Sequence, residues 1–212
     1  MVDIEKIEKR TVQSFYSDGL AEISIGLIFL LLGGYFFAQA AAPEGSALSS
    51  ALSVLFVLVI VSAGFLVSRI LRFLKRRITY PRTGYVAFKK KAPSPKLRVA
   101  TMIIAGIIGA GMAALYGISP SFKALFPALN GLLLSVAVLL IAHKVGLARF
   151  YILAAASAFT GIAVSAAGVG DMKGISLTFG LFGAAVTLSG LATLIVYLRK
   201  SPRADRENTD AV

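Results

Sequence analysis

Apolar residues along this chain do not alternate with polar ones. They gather into six long runs covering residues 21–41, 48–71, 99–118, 124–142, 150–168 and 175–198. About 20 apolar residues in a helix cross the roughly 30 Å of a bilayer's hydrocarbon, so each run predicts a transmembrane helix. Backbone groups in lipid must satisfy one another, and the two-residue period of a membrane β-barrel is missing. The expected fold is therefore all-α: a polytopic transmembrane helical bundle of six spans. Residues 1–20 form an amino-terminal cytoplasmic or interfacial segment, 21–198 the membrane domain with an insert at 69–98, and 199–212 a cytoplasmic tail expected to be disordered.

The polar segments between the runs are unequal, and their inequality predicts orientation. The 22 lysines and arginines fall three before the first run, none between the first and second, and eleven in the connection 69–98, which takes in the end of the second run. One, two, one and four follow in the remaining segments. Cytoplasmic connections carry the excess of Lys and Arg, so both termini are expected in the cytoplasm, in a plasma (inner) membrane protein. The parity also supports six spans, because one more or one fewer would put a basic segment on the wrong side. Ala38-Gln39-Ala40 resembles a signal-peptidase site. The acidic, extended region before it and the length of the apolar run favour a retained first helix.

Composition narrows the chemistry. The chain has 212 residues, 57% of them hydrophobic and 15% charged, with a formal net charge of +12, no cysteine and one histidine. Soluble domains carry about 25% charged residues. Disulfides, thiolate nucleophiles and thiolate metal sites are excluded, and no phosphate-cradling loop, nucleophile elbow or HExxH sequence is present. A nonenzymatic protein without metal or cofactor is expected. Ionisable residues in the apolar half of the chain (Glu22, Lys123, His143, Lys144, Arg149, Asp171, Lys173) lie near the ends of runs, which argues against a proton relay at mid-membrane.

The eleven-cation connection is the largest polar element. Arg69, Arg72 and Arg76 follow helical spacing, with Arg77 beside them; Arg82, Lys89, Lys90 and Lys91 come later. Anionic lipid headgroups are the expected partner, at about 1 kcal/mol per charge. A membrane protein partner or a second copy of the chain is the other reading, and nucleic acid is not expected because no base-reading fold accompanies the charge. Ile78-Thr79-Tyr80 and Tyr85-Val86 flank Pro81-Arg82-Thr83-Gly84, a pattern that suits a small β-hairpin. In the amino-terminal segment Ile4, Ile7 and Phe15 suit an interfacial helix. Asp18 suits a helix cap and Glu22 a partner for the positive end of the first helix dipole, with an acidic portal as the functional alternative. His143, Lys144 and Gly146 suit a helix C-terminus.

A second function class, movement or binding of a small solute, rests on Asn130, which Pro127 precedes and Gly131 follows. Tyr35, Gln39 and Tyr116 are expected in the same outer half and would complete a polar vestibule. The structural reading of Asn130 is a hydrogen bond across two helices. Small residues recur every four positions in the third run (Gly106, Ala110, Ala114), the fifth (Ser157, Gly161, Ser165) and the sixth (Ser176, Gly180, Ala184). These three helices are expected to form the tight centre, and the bulkier second to face lipid.

The segment Thr79-Tyr80-Pro81-Arg82-Thr83-Gly84-Tyr85-Val86, with Asp18-Gly19-Leu20, resembles a pattern in small uncharacterised prokaryotic polytopic membrane proteins. It covers about a tenth of the chain and implies no activity. Size and span number are also similar to those of vitamin-binding subunits of energy-coupling transporters, an analogy of fold alone.

Overall fold

The computed structural model describes residues 13, 16–43, 45–79, 95–118, 120–169 and 171–200. All six apolar runs are helical: α1 (Leu20–Ala41), α2 (Ala47–Leu74), α3 (Pro95–Ile118), α4 (Pro120–Val145), α5 (Ala148–Ala166) and α6 (Asp171–Lys200). A π-helical turn, Lys75–Thr79, prolongs α2, and no strand occurs among the described residues. Four helices there are long and apolar enough to cross a membrane: α1, α4 from Phe122, α5, and α6 from Met172.

Helix ends follow local chemistry. Gly19, at φ 68°, turns the chain into α1, a conformation that costs a residue with a Cβ. Ser46 caps α2 by accepting from the Ser49 N–H at 3.1 Å. Pro95 and Pro120 open α3 and α4, where a missing N–H costs nothing. Gly146, at φ 70°, ends α4 after His143 and Lys144, as its sequence predicts.

Packing rests on small residues. α1 and α6 run antiparallel along a seam where Gly19 meets Gly190, Gly26 meets Gly183, and Gly33 meets Gly180 and Ser176. A Cβ on Gly26 would lie 2.6 Å from the Thr187 backbone nitrogen, and one on Gly33 2.8 Å from that of Gly180. Backbone cannot retreat as a flexible side chain can, so these positions admit only glycine at this helix spacing. A second seam joins α4 to α5 through Gly131 and Gly161. Ser157 donates to the Gly131 carbonyl at 3.0 Å, and Ser165 to that of Ala124. α5 and α4 also pack on α6, while α2 packs on α1. Phe29 and Phe36 of α1 interleave with Phe179 and Phe182 of α6.

The expected centre of third, fifth and sixth helices is corrected: α1 takes the place given to α3. Gly106, Gly109, Gly111 and Gly117 of α3 have no atom within 4 Å of where a Cβ would be, and the main neighbour of α3 is α4. Small residues permit close approach but do not supply the partner. The seven-residue spacing of Gly19, Gly26 and Gly33 matches that of Ser176, Gly183 and Gly190, and α6 also offers hydroxyls that α1 can use.

Outward faces are apolar on every helix. Phe37, Val54, Leu58, Phe65, Ile107, Leu140, Ile152, Phe159 and Leu188 are all exposed. Such continuous apolar surface is foreign to soluble monomers and suits a bundle solvated by lipid. The exposure of Val54, Leu55, Leu58 and Phe65 agrees with the expectation for α2.

Candidate functional site

Because α1 is antiparallel to α2 and α6, and α5 to α4 and α6, five helix ends meet at one end of the bundle. They are the starts of α1 and α5 and the ends of α2, α4 and α6. Four charged side chains converge there. Asp18 and Glu22, one helical turn apart, are 0% and 1% exposed. Burying a carboxylate is costly unless it is paired and hydrogen-bonded, and each has its own cation from a different element.

Asp18 holds the end of α2. Its Oδ2 lies 3.3 Å from Lys75 Nζ and accepts from the Thr79 hydroxyl at 2.9 Å. Oδ1 accepts from the Leu20 N–H at 3.1 Å. The N-cap position expected of Asp18 is taken by Gly19; Asp18, one residue earlier, meets the first helical N–H and also tethers the end of α2.

Glu22 holds α5 and α6. Its Oε1 lies 2.7 Å from Arg149 Nη2, and its Oε2 accepts from the Ser189 hydroxyl at 3.1 Å. Oε1 accepts no hydrogen bond among the described residues, so the Arg149 charge is what compensates that oxygen. Arg149 also donates to the Tyr16 carbonyl, and to the Thr193 hydroxyl at 2.9 Å. Its guanidinium sits 5.4 Å from the Phe150 ring centroid. The Tyr16 ring meets Phe150 edge-on, and Gln13 donates to the Val145 carbonyl at 3.0 Å, so these two residues lie against the α4–α5 turn. Burial, reinforced by the negative charge of Glu22, raises the Tyr16 phenol above its ordinary 10.0 and keeps it neutral at physiological pH.

Around this cluster α2 presents cations outward. Arg69, Arg72, Arg76 and Arg77 are exposed. Arg69 stacks over Phe65 at 5.9 Å and Arg77 over Phe73 at 5.1 Å, each pair one turn apart on the helix. Phe65 and Phe73 are themselves exposed. Arg82, Lys89, Lys90 and Lys91 lie outside the described residues, as do the proposed interfacial helix, the tail and most of the proposed hairpin. Ile78 and Thr79, read as the start of a β-run, instead close the π-helical turn, where Thr79 reaches Asp18.

Of the residues of the predicted outer vestibule, Tyr35 and Gln39 meet on α1, the Tyr35 hydroxyl reaching Gln39 Oε1 at 3.4 Å. Tyr35 donates to the Leu52 carbonyl at 2.9 Å, and Gln39 donates to the Ser53 hydroxyl at 3.3 Å, so both fasten α1 to α2. Asn130 donates at 2.9 Å to the Phe126 carbonyl in its own helix. The link expected of it across helices is made one residue later, by the Gly131 carbonyl. The Tyr116 side chain lies outside the described residues.

The sequence reading missed Lys75 and Arg149 as members of a site. The available signal was the pair of acids opening α1 with no cation near them in sequence, which required partners from elsewhere. Among the described residues no group of three or more His, Asp or Glu could hold a metal ion. No protein-family model, curated protein or solved structure matches this chain.

Proposed function

We propose that this is a nonenzymatic integral membrane protein that engages anionic lipid headgroups through the basic end of α2, as an accessory or docking component of the plasma (inner) membrane. The observation that carries this reading is the pairing of exposed Arg69 and Arg77 with exposed Phe65 and Phe73. An aromatic side chain in hydrocarbon with a guanidinium above it at headgroup level is the arrangement of a residue pair at a lipid interface. Two features of the bundle support a six-span topology with both termini in the cytoplasm. α2 and α3 are helices of 28 and 24 residues. The basic end of α2, Lys144, and Arg199 with Lys200 belong to helix ends that face the same side. The extensive contact of α1 with α6 supports retention of the first helix.

The test is native mass spectrometry of the full chain after gentle extraction from bilayers of mixed zwitterionic lipid and phosphatidylglycerol. Retained phosphatidylglycerol should fall when Arg69, Arg76 and Arg77 are changed together to Gln, by about tenfold or more, given about 1 kcal/mol per cation. Equal retention by the parent and this variant would overturn the reading. A stoichiometric protein lost in place of lipid would replace the lipid surface with a protein partner.

A further inference from the structure

Among the described cations of this basic arm Lys75 alone is buried, its side chain 9% exposed, while Arg69, Arg72, Arg76 and Arg77 lie open. It points at Asp18, and Thr79, four residues on, points at the same carboxylate oxygen. The arm is therefore fastened to the bundle by an acidic group that cannot itself attract an anionic headgroup. Resting on the docking reading above, we propose that Asp18 is the positioning residue of the lipid-binding arm: it fixes how the arginine face of α2 leaves the bundle, and so strengthens anionic lipid binding that its charge alone would weaken.

The geometry makes this coupling two-way. Asp18 and Glu22 are like charges one turn apart, Asp18 compensated by Lys75 and Glu22 by Arg149. Removing Lys75 leaves Asp18 buried without its cation beside a second carboxylate. Removing the Asp18 charge leaves Lys75 buried without its anion and favours its escape to water. Headgroups that hold the arm in its docked direction must by reciprocity stabilise the Asp18 contact, and the contact must favour the headgroups. Either loss frees the arm while leaving every exposed arginine in place.

The experiment uses the full chain in bilayer discs of mixed zwitterionic lipid and phosphatidylglycerol, reading phosphatidylglycerol retained after extraction and the rate of tryptic cleavage after Arg76 and Arg77. Asp18→Asn makes the protein more positive, so a pure charge effect predicts more anionic lipid retained. Positioning predicts the reverse: retention falls and cleavage accelerates, each by about tenfold, the scale of one lost hydrogen bond to a charged group. Lys75→Gln should act in the same direction. The double variant should recover much of the loss, because no buried charge is then unpaired. Unchanged cleavage with equal or greater lipid retention in Asp18→Asn would overturn the proposal. If that variant fails to fold, Thr79→Val decides in its place, with a smaller acceleration of cleavage expected and no change overturning it. Should the triple arginine variant keep its lipid while Asp18→Asn frees the arm, the docking reading falls and the anchor alone survives.

Discussion

The α1–α6 seam and helix α3 carry similar patterns of small residues and meet opposite fates. Along the seam, backbone of one helix lies where a Cβ of the other would stand, at Gly26, Gly33, Gly183 and Gly190. Along α3 every glycine faces open space. The difference lies in what accompanies the small residues. The seam is pinned towards each end by polar groups: Glu22 with Ser189, and Ser176, whose hydroxyl donates to the Gly33 carbonyl at 2.8 Å. Between helices in lipid there is no hydrophobic driving force, so association depends on close van der Waals contact and hydrogen bonds. α3 from Val99 to Ile118 offers Thr101, Tyr116 and otherwise apolar side chains. A small-residue stripe thus reads as permission for contact, and buried polar groups identify the partner.

Breaking the polar end of the seam should have the largest effect. Arg149→Met leaves Glu22 buried without its cation, and the expected loss is about 3–5 kcal/mol, measured by unfolding in mixed micelles. Overpacking comes next. Gly183→Ala sets a Cβ 2.6 Å from the Leu30 backbone nitrogen, and about 1–3 kcal/mol should be lost, with cysteine cross-linking of α1 to α6 weakened in parallel. Ser176→Ala removes one hydrogen bond of the same seam and should cost about 0.5–1.5 kcal/mol in the same assay. Gly109→Ala on α3 should change stability by no more than about 0.5 kcal/mol. A loss there as large as that of Gly183→Ala would show that α3 is as closely packed as the seam and would remove the contrast.

Much of the fold is legible in the sequence because lipid imposes a simple rule. Six apolar runs become six helices, with ends displaced by a few residues where Pro95, Pro120 and Asp171 start helices before the apolar stretch begins. The helix end at Gly146 is equally local, since a left-handed glycine after His143 and Lys144 involves no distant residue. Pairing is less legible, because it joins residues far apart in the chain. Gly19, Gly26 and Gly33 repeat at seven, a signal present in the sequence but easily passed over beside the four-residue stripes. The candidate site shows the same limit. Asp18 and Glu22 are recognisable as acids opening a helix, but which cations answer them depends on α2 and α5 ending and starting at the same level. Asn130, expected to tie two helices, donates within its own helix; the adjacent Gly131 carbonyl makes the tie because Ser157 approaches it across the second seam.

The seam also constrains the order in which the molecule can be made. Ser189 and Glu22 are 167 residues apart, and Ser176 and the Gly33 carbonyl 143. At roughly 5–20 residues per second, Glu22 is synthesised about 8 to 33 s before the serine that answers it. Until α6 is made, α1 keeps its glycine face open, and Glu22 gains its cation, Arg149, before it gains its serine. α6 is therefore the clasp of α1 and of the described bundle, and a chain cut short before α6 should be the form that quality-control proteases recognise.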